Sequence, residues 1–352
     1  MCNEAGTFHS YNVPSLYMSA LRRESLPSVS APKLLGNNAS LRGFRQMLLE
    51  WYSLNARDLP WRDDRDPYRV WLSEIMLQQT RVAVVIEYYR RFLRRFPTVE
   101  ALAKARVSSV LAAWSGLGYY RRARALHAAA KFVVAERDGR FPPTAKDLQL
   151  LPGVGRYTAA AVASIAFEEP VAVVDGNVER VLQRLFGRCL DTEGTWQRAE
   201  ILLSRSRPGD FNQAMMELGA TICLPRDPKC LVCPVVDFCV TRGQFETKAT
   251  EQRKKKEICY VLNVREGNVF LLRRPKTASL MPGMWELPEI PANGHKPEFS
   301  LRHSITVTDY VVHVVRGNAT KNPAGRWLPA RRAEALPLTG LTRKILRTAK
   351  VI

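Results

Sequence analysis

Four cysteines fall within seventeen residues, as Cys223-x6-Cys230-x2-Cys233-x5-Cys239, in a chain that has only seven. Thiolates gathered that tightly need either oxidation to disulfides or a metal to balance their charge. Nothing upstream reads as a signal peptide, which favours a reducing intracellular compartment (cytoplasm or nucleoid in a bacterium) and hence a metal. The spacing departs from the paired Cys-x2-4-Cys knuckles of most structural zinc sites. It fits an iron–sulfur cluster held by four thiolates better. Structural zinc and disulfides are the competing assignments. Cys2, Cys189 and Cys259 show no ligand spacing and read as ordinary small residues.

At 352 residues the chain exceeds the usual single domain, so two domains are expected. Its 53 Lys and Arg against 33 Asp and Glu give a net charge of +20, which calls for a polyanionic partner, nucleic acid ahead of a membrane surface. No apolar run is long enough to span a bilayer.

Residues 1–40 carry scattered Ser, Pro and Asn without periodicity and read as a disordered extension. From Leu41 the pattern turns helical, with Phe44, Met47, Leu48, Trp51 and Leu54 at three- and four-residue steps. Further helices are predicted around 68–77, 81–95, 107–114, 121–137, 144–150, 156–167, 177–187 and 196–205, all-helical up to the cysteine cluster, so that residues 41–240 form a helical domain ending in the cysteine loop at 223–239. Residues 241–257, with Arg253-Lys254-Lys255-Lys256, read as a basic linker. Beyond it Ile258, Tyr260, Leu262 and Val264 alternate, Glu266-Gly267-Asn268 turns the chain, and Val269–Leu272 returns, which predicts a hairpin. Strand patterns at 301–307 and 310–315 and a closing helix at Leu341–Ala349 make residues 258–352 a small α+β domain.

Three segments could carry chemistry. Leu151-Pro152-Gly153-Val154-Gly155-Arg156-Tyr157-Thr158-Ala159 lies between two helical patterns, and its glycines allow a tight turn whose N–H groups point outward at a helix start, a site suited to a DNA phosphate. A plain helix–helix connection would look similar. Asp175 precedes the amphipathic Val178, Val181, Leu182, Leu185 and Phe186, where helix-start N–H groups favour an ionised carboxylate; an ordinary cap by Asp175 or Asn177 is the plainer reading. Glu74 has Val70, Trp71, Leu77 and Gln78 as its helical neighbours, so desolvation should favour its neutral acid. A surface glutamate beside an apolar stripe is the alternative. A neutral carboxylic acid at Glu74 is what protonation of a leaving group requires.

These segments, with Leu59-Pro60-Trp61-Arg62, Leu77-Gln78-Gln79-Thr80 and Gly116-Leu117-Gly118-Tyr119-Tyr120, resemble the MutY-type adenine DNA glycosylases of the endonuclease III superfamily. The resemblance implies a helix-hairpin-helix core with a [4Fe–4S] loop, acting as a monomer on double-stranded DNA that carries adenine opposite 8-oxoguanine or guanine. It implies that Glu74 protonates the flipped adenine, that Asp175 stabilises the sugar cation, and that Tyr157 and Asn177 support them. Gln78, Gln79, Thr80, Tyr119, Gly153 and Gly155 would contact DNA. The closest rival is an endonuclease III-like glycosylase and lyase acting on damaged pyrimidines, which carries a Schiff-base lysine where this chain has Tyr157, and tyrosine cannot do that chemistry. A catalytically dead DNA-binding protein and a metal-bound regulatory module are further alternatives, disfavoured by the paired carboxylates and by the character of the second domain.

Residues 258–352 resemble the Nudix-like domain of the same family through Arg273-Arg274-Pro275 and Met281-Pro282-Gly283-Met284-Trp285-Glu286-Leu287-Pro288. The metal-binding glutamate helix of true Nudix hydrolases is missing, so the resemblance implies lesion recognition rather than pyrophosphate cleavage. Where family members read Phe-Ser-His, this chain has Ile305-Thr306-Val307, leaving Thr306 as the hydroxyl expected to meet the lesion.

Overall fold

The computed structural model describes residues 38–243, 254–292, 294–305, 308–317 and 325–352. The extension predicted at 1–40 lies outside the described residues up to residue 37, and the first helix begins three residues before the expected Leu41. Eleven α-helices follow among the described residues: α1 (Asn38–Asn55), α2 (Pro67–Leu77), α3 (Val82–Arg95), α4 (Val99–Lys104), α5 (Val107–Trp114), α6 (Arg121–Arg137), α7 (Ala145–Leu148), α8 (Arg156–Phe167), α9 (Gly176–Phe186), α10 (Thr192–Leu202) and α11 (Pro208–Thr221). Two were not anticipated. The six residues of α4 are too few to show a period, and α11 carries Gly209, Asn212 and Gly219 within an indistinct apolar stripe.

Two apolar clusters organise these helices. One packs α2, α3, α5, α6 and α8 around Trp71, Phe92 and Trp114. The other gathers α1, α9, α10 and α11 around Phe44, Leu182, Leu202 and Leu218. Helix α8 can approach its neighbours closely because Ala159, Ala160, Ala161 and Ala163 are all buried. On α11, Gly209 sits so near α8 that a Cβ there would lie 2.5 Å from the Ser164 carbonyl oxygen.

The C-terminal part contains β1 (Lys254–Leu262), β2 (Val264–Arg265), β3 (Asn268–Arg273), β4 (Trp285–Glu286), β5 (Glu289–Ile290), β6 (Phe299–Ile305), β7 (Thr308–Arg316), β8 (Gly325–Pro329), α12 (Ala330–Ala333) and α13 (Gly340–Thr348). One sheet has the order β5-β1-β7-β6, with β1 and β7 parallel; in the other, β3 pairs with β2, β4 and β8. The turn at Glu266-Gly267 forms as expected, both residues having positive φ (48° and 71°), but it joins only β2 to β3. The long strand at Ile258–Leu262 leaves that hairpin and enters the other sheet. Lys254-Lys255-Lys256 are likewise strand, paired with Thr308, Asp309 and Tyr310, so the linker read to 257 ends before Lys254. Arg253 lies outside the described residues.

The apolar core of this domain forms between the sheets and α13, on Leu262, Leu271, Val314 and Ile345. The segment Met281–Met284 turns away from it, and Met284 is fully buried in the first helical cluster. Among the described residues no helix is long and apolar enough to cross a membrane.

Candidate active site

A cavity of about 790 Å³ takes its walls from helices of both clusters: α2 and α8 on one side, α9 and α11 on the other. Glu74, Gln78, Gln79, Thr80, Tyr157, Asp175 and Asn177 all line it. Seven residues singled out from distant parts of the sequence therefore share one space, large enough for a nucleoside.

Glu74 sits mid-helix on α2 and is 5% exposed. Asp66 caps that helix through the Arg69 N–H and Pro67 opens it, so the register that turns Glu74 inward is fixed from its start. Burial pushes the Glu74 carboxyl up to about 7, with Asp175 adding to the rise; the Tyr157 hydroxyl and Arg62 act in the opposite direction. Tyr157, in the first turn of α8, donates its hydroxyl to Glu74 Oε2 at 2.5 Å and lies 3.6 Å from Met216 Sδ. Burial and the two nearby carboxylates raise the phenol well above its ordinary range, so it remains a donor.

Asp175 is the N-cap of α9, as its sequence position suggested. Its Oδ1 accepts from the backbone N–H groups of Asn177 (2.9 Å) and Val178 (2.8 Å), and its Oδ2 from the Asn177 side-chain amide (3.0 Å). The cap and the cavity wall are thus the same arrangement here: three donors at a helix start hold the Asp175 carboxyl at the cavity. Arg180 donates to Asn177 Oδ1 at 2.9 Å, to the Gly219 carbonyl at 2.7 Å and to the Cys223 carbonyl at 2.9 Å, tying the first turn of α9 to α11 and to the cysteine loop. Gly219 abuts the same turn, and a Cβ there would lie 2.7 Å from Asn177 Cβ.

Another wall was not foreseen. Glu217 on α11, 1% exposed, accepts from Arg57 Nε (2.6 Å), Arg57 Nη2 (2.8 Å) and Arg62 Nη2 (2.9 Å). Burial alone would raise this carboxyl, but the two guanidinium groups hold it below the usual range. Leu59 and Trp61 line the same cavity. Only long-range pairing brings these groups together, and no local spacing signals it.

Cys223, Cys230, Cys233 and Cys239 line one small cavity with Arg184. Arg184 Nη1 lies 3.3 Å from Cys223 Sγ, and a Cβ on Gly243 would lie 2.9 Å from Cys230 Sγ, so the cradle is closely walled. Burial, with the neighbouring cysteine charges adding to it, raises the Cys230 thiol and pushes Cys233 to about 11. Four thiolates gathered here would need a strongly cationic partner, which suits a metal cluster. Among the described residues no group of three or more His, Cys, Asp or Glu is disposed as ligands of a single metal ion.

Residues 72–207 match the HhH-GPD superfamily base excision DNA repair proteins. The adenine DNA glycosylase of Mus musculus is 48% identical over 272 residues, covering 71% of this chain and 52% of the mouse protein. The adenine DNA glycosylase of Buchnera aphidicola subsp. Baizongia pistaciae is 39% identical over 255 residues, covering 69% of this chain and 71% of that relative. The chain belongs to the adenine DNA glycosylase family. It spans about half the length of the mammalian members it matches. A solved thermostable thymine-DNA glycosylase aligns with 34% identity and a TM-score of 0.55, over 59% of this chain and 99% of that one.

In this family member the remaining residues expected to contact DNA lie outside the cavity lining. Gly153 (φ 75°) occupies the hairpin between α7 and α8, where a Cβ would come 2.4 Å from Ala125 Cβ. Gly155 caps α8 with no side-chain hydrogen bond to the first turn. Tyr119 stands exposed on the loop before α6, in left-handed backbone (φ 47°). Arg122 connects this loop to the cavity: it donates to the carbonyls of Ile75, Met76, Gln78, Leu117 and Gly118 and to Thr80 Oγ1. Gln78 in turn donates to Thr158 Oγ1 at 3.2 Å. Thr306 and Val307 lie outside the described residues.

Proposed function

We propose that this chain is a monofunctional glycosylase that releases adenine from double-stranded DNA where adenine faces 8-oxoguanine or guanine. The observation that carries the reading is one cavity holding two unlike carboxylates: Glu74 is buried mid-helix with one hydroxyl donor, its carboxyl pushed up to about 7 by burial, and Asp175 is held by three donors at a helix start. With adenine flipped into the cavity, Glu74 gives its proton to the base, at N7. The C1′–N9 bond breaks, its electron pair leaves with adenine, and a sugar oxocarbenium ion remains. The Asp175 carboxylate stabilises that cation or captures it; water then adds its hydroxyl at C1′, any C1′–Asp175 bond breaks back to the carboxylate, and the remaining water proton returns to Glu74. Flipping costs a few kcal/mol and least at a mispair, which contributes selectivity. The Arg57–Glu217–Arg62 wall supplies hydrogen-bonding groups for the edge of the base, beside Trp61.

The test is single-turnover adenine release from duplexes with adenine opposite 8-oxoguanine, guanine or cytosine. Release from the first two supports the reading, and no release from any of them overturns it. Borohydride should trap little covalent enzyme–DNA complex, because Tyr157 cannot form a Schiff base; efficient trapping would favour the lyase.

The four cysteines would hold a [4Fe–4S] cluster that orders the basic loop around them. Native protein should be yellow-brown with about four irons per chain, whereas stoichiometric zinc in colourless, anaerobically prepared protein would refute the assignment. The C-terminal domain would read 8-oxoguanine, with Thr306 supplying a hydroxyl. Because Met284 is seated in the helical core, a point variant is a cleaner test than truncation. Thr306→Ala should narrow the preference for 8-oxoguanine over guanine by a few-fold to about tenfold, the worth of one neutral hydrogen bond. An unchanged ratio would remove Thr306 from the site.

A further inference from the structure

The helical core and the C-terminal domain meet in a buried polar contact at the start of the loop that carries Tyr119. Ser115, fully buried, donates to the Leu338 carbonyl at 2.6 Å. The Tyr120 hydroxyl donates to that same carbonyl at 3.2 Å and accepts from the Gly116 N–H at 3.3 Å. From α13, Arg343 donates through Nε to Ser115 Oγ at 2.8 Å, and its Nη2 reaches the Glu334 carbonyl at 3.1 Å. Arg343 is 6% exposed, and these bonds go to a hydroxyl and a carbonyl, not to a carboxylate. A buried guanidinium so partnered costs more than an apolar side chain of the same size, and what it adds is direction.

Between the two anchored ends the loop is constrained. Gly116 has φ 109°, and a Cβ there would lie 2.0 Å from the Tyr88 hydroxyl. The Trp114 indole donates to the Gly118 carbonyl at 3.1 Å, and Arg122 fastens Leu117 and Gly118 to the Gln78–Thr80 wall of the cavity. Fixed atoms therefore run from α13 to the cavity wall, with Tyr119 projecting from the middle.

We infer that Arg343 is a positioning residue for adenine excision: through Ser115 and the Leu338 carbonyl, the C-terminal domain sets the Gly116–Tyr119 loop and the placement of Tyr119 against DNA. This contact is separate from lesion reading by Thr306 and acts whatever base lies opposite adenine. It rests on the glycosylase reading, and the experiment separates the two.

Full-length Arg343→Met, Arg343→Lys and Ser115→Ala are compared with wild type on the adenine–8-oxoguanine duplex, measuring single-turnover release and DNA affinity. Arg343→Met should slow release by roughly tenfold or more, as misplaced contacts do, with affinity changed far less and Arg343→Lys recovering part of the rate. Ser115→Ala, a milder change than Arg343→Met that keeps the fold testable, should slow release in the same sense. The deciding arm adds each substitution to Tyr119→Ala. If Arg343 acts through the loop, the second change costs less than about twofold there, because coupled sites are not additive. The same factor in both backgrounds, or no effect of either variant in wild type, overturns the inference. Should wild type release no adenine, the glycosylase reading fails by itself. The inference is then decided by amide hydrogen exchange at residues 116–119, which either accelerates in Ser115→Ala while α2 and α8 stay unchanged, or stays as it was and refutes it.

Discussion

Glu74 lies in the middle of α2, where the helix's own N–H groups are already engaged, so nothing in the backbone can solvate a negative charge. Asp175 lies at the first turn of α9, where unengaged N–H groups converge on its carboxylate. The side chains differ by one methylene. Burial with a single hydroxyl donor brings Glu74 to about 7, whereas three donors surround Asp175. Position along a helix decides how many donors each carboxylate meets: one hydroxyl for buried Glu74, three N–H groups for Asp175.

The sharpest way to break this comparison is to remove one role at a time. Asp175→Asn keeps the shape and deletes the charge, and Glu74→Gln keeps the shape and deletes the proton. Each should lower single-turnover adenine release by about 10²–10⁴-fold while DNA affinity is largely retained. Near-normal release by either variant would show that the assignment is wrong.

A stability measurement tests Glu74 apart from activity. A carboxyl whose folded pKa exceeds its unfolded value binds more protons when folded, so it destabilises the native state progressively as pH rises from about 4.5 to about 7. One pKa unit corresponds to about 1.4 kcal/mol, so the penalty above pH 7 is about 3 kcal/mol. Glu74→Gln should therefore be more stable than wild type in urea at pH 8, by an amount that shrinks as pH falls toward 5. A pH-independent difference would mean that Glu74 titrates normally.

The smallest effect belongs to Tyr157. Wild-type release should fall as pH rises through about 7, where Glu74 loses its proton. The Tyr157 hydroxyl bond favours ionised Glu74, so Tyr157→Phe should move that limb to higher pH with a modest change in the plateau. A limb that moves to lower pH would reverse the sign assigned to this hydrogen bond.

Much of this site could be read from the sequence because its chemistry follows local rules. Apolar neighbours at three and four positions reported the burial of Glu74, and an acidic residue before an amphipathic stripe reported the cap at Asp175. The cysteine spacing reported a shared cavity. What could not be read is pairing across the chain. Glu217 meets Arg57 and Arg62 from 160 and 155 residues away, and Arg122 is one of many arginines until its six acceptors are in place. The same limit misplaced Ile258–Leu262, whose alternation announces a strand without saying that the partner is β7, parallel and some fifty residues on.

Gly219 touches no reacting atom, yet the backbone of α11 passes so near Asn177 that the position has no room for a methyl group. A saturation library would show a residue outside the cavity behaving like a member of it. Alanine there must displace either α11 or the first turn of α9, and the latter carries the donors to Asp175. Variants at position 219 are therefore expected among loss-of-function alleles that fold, bind DNA and release adenine poorly, a class that a map drawn only from cavity-lining residues would overlook.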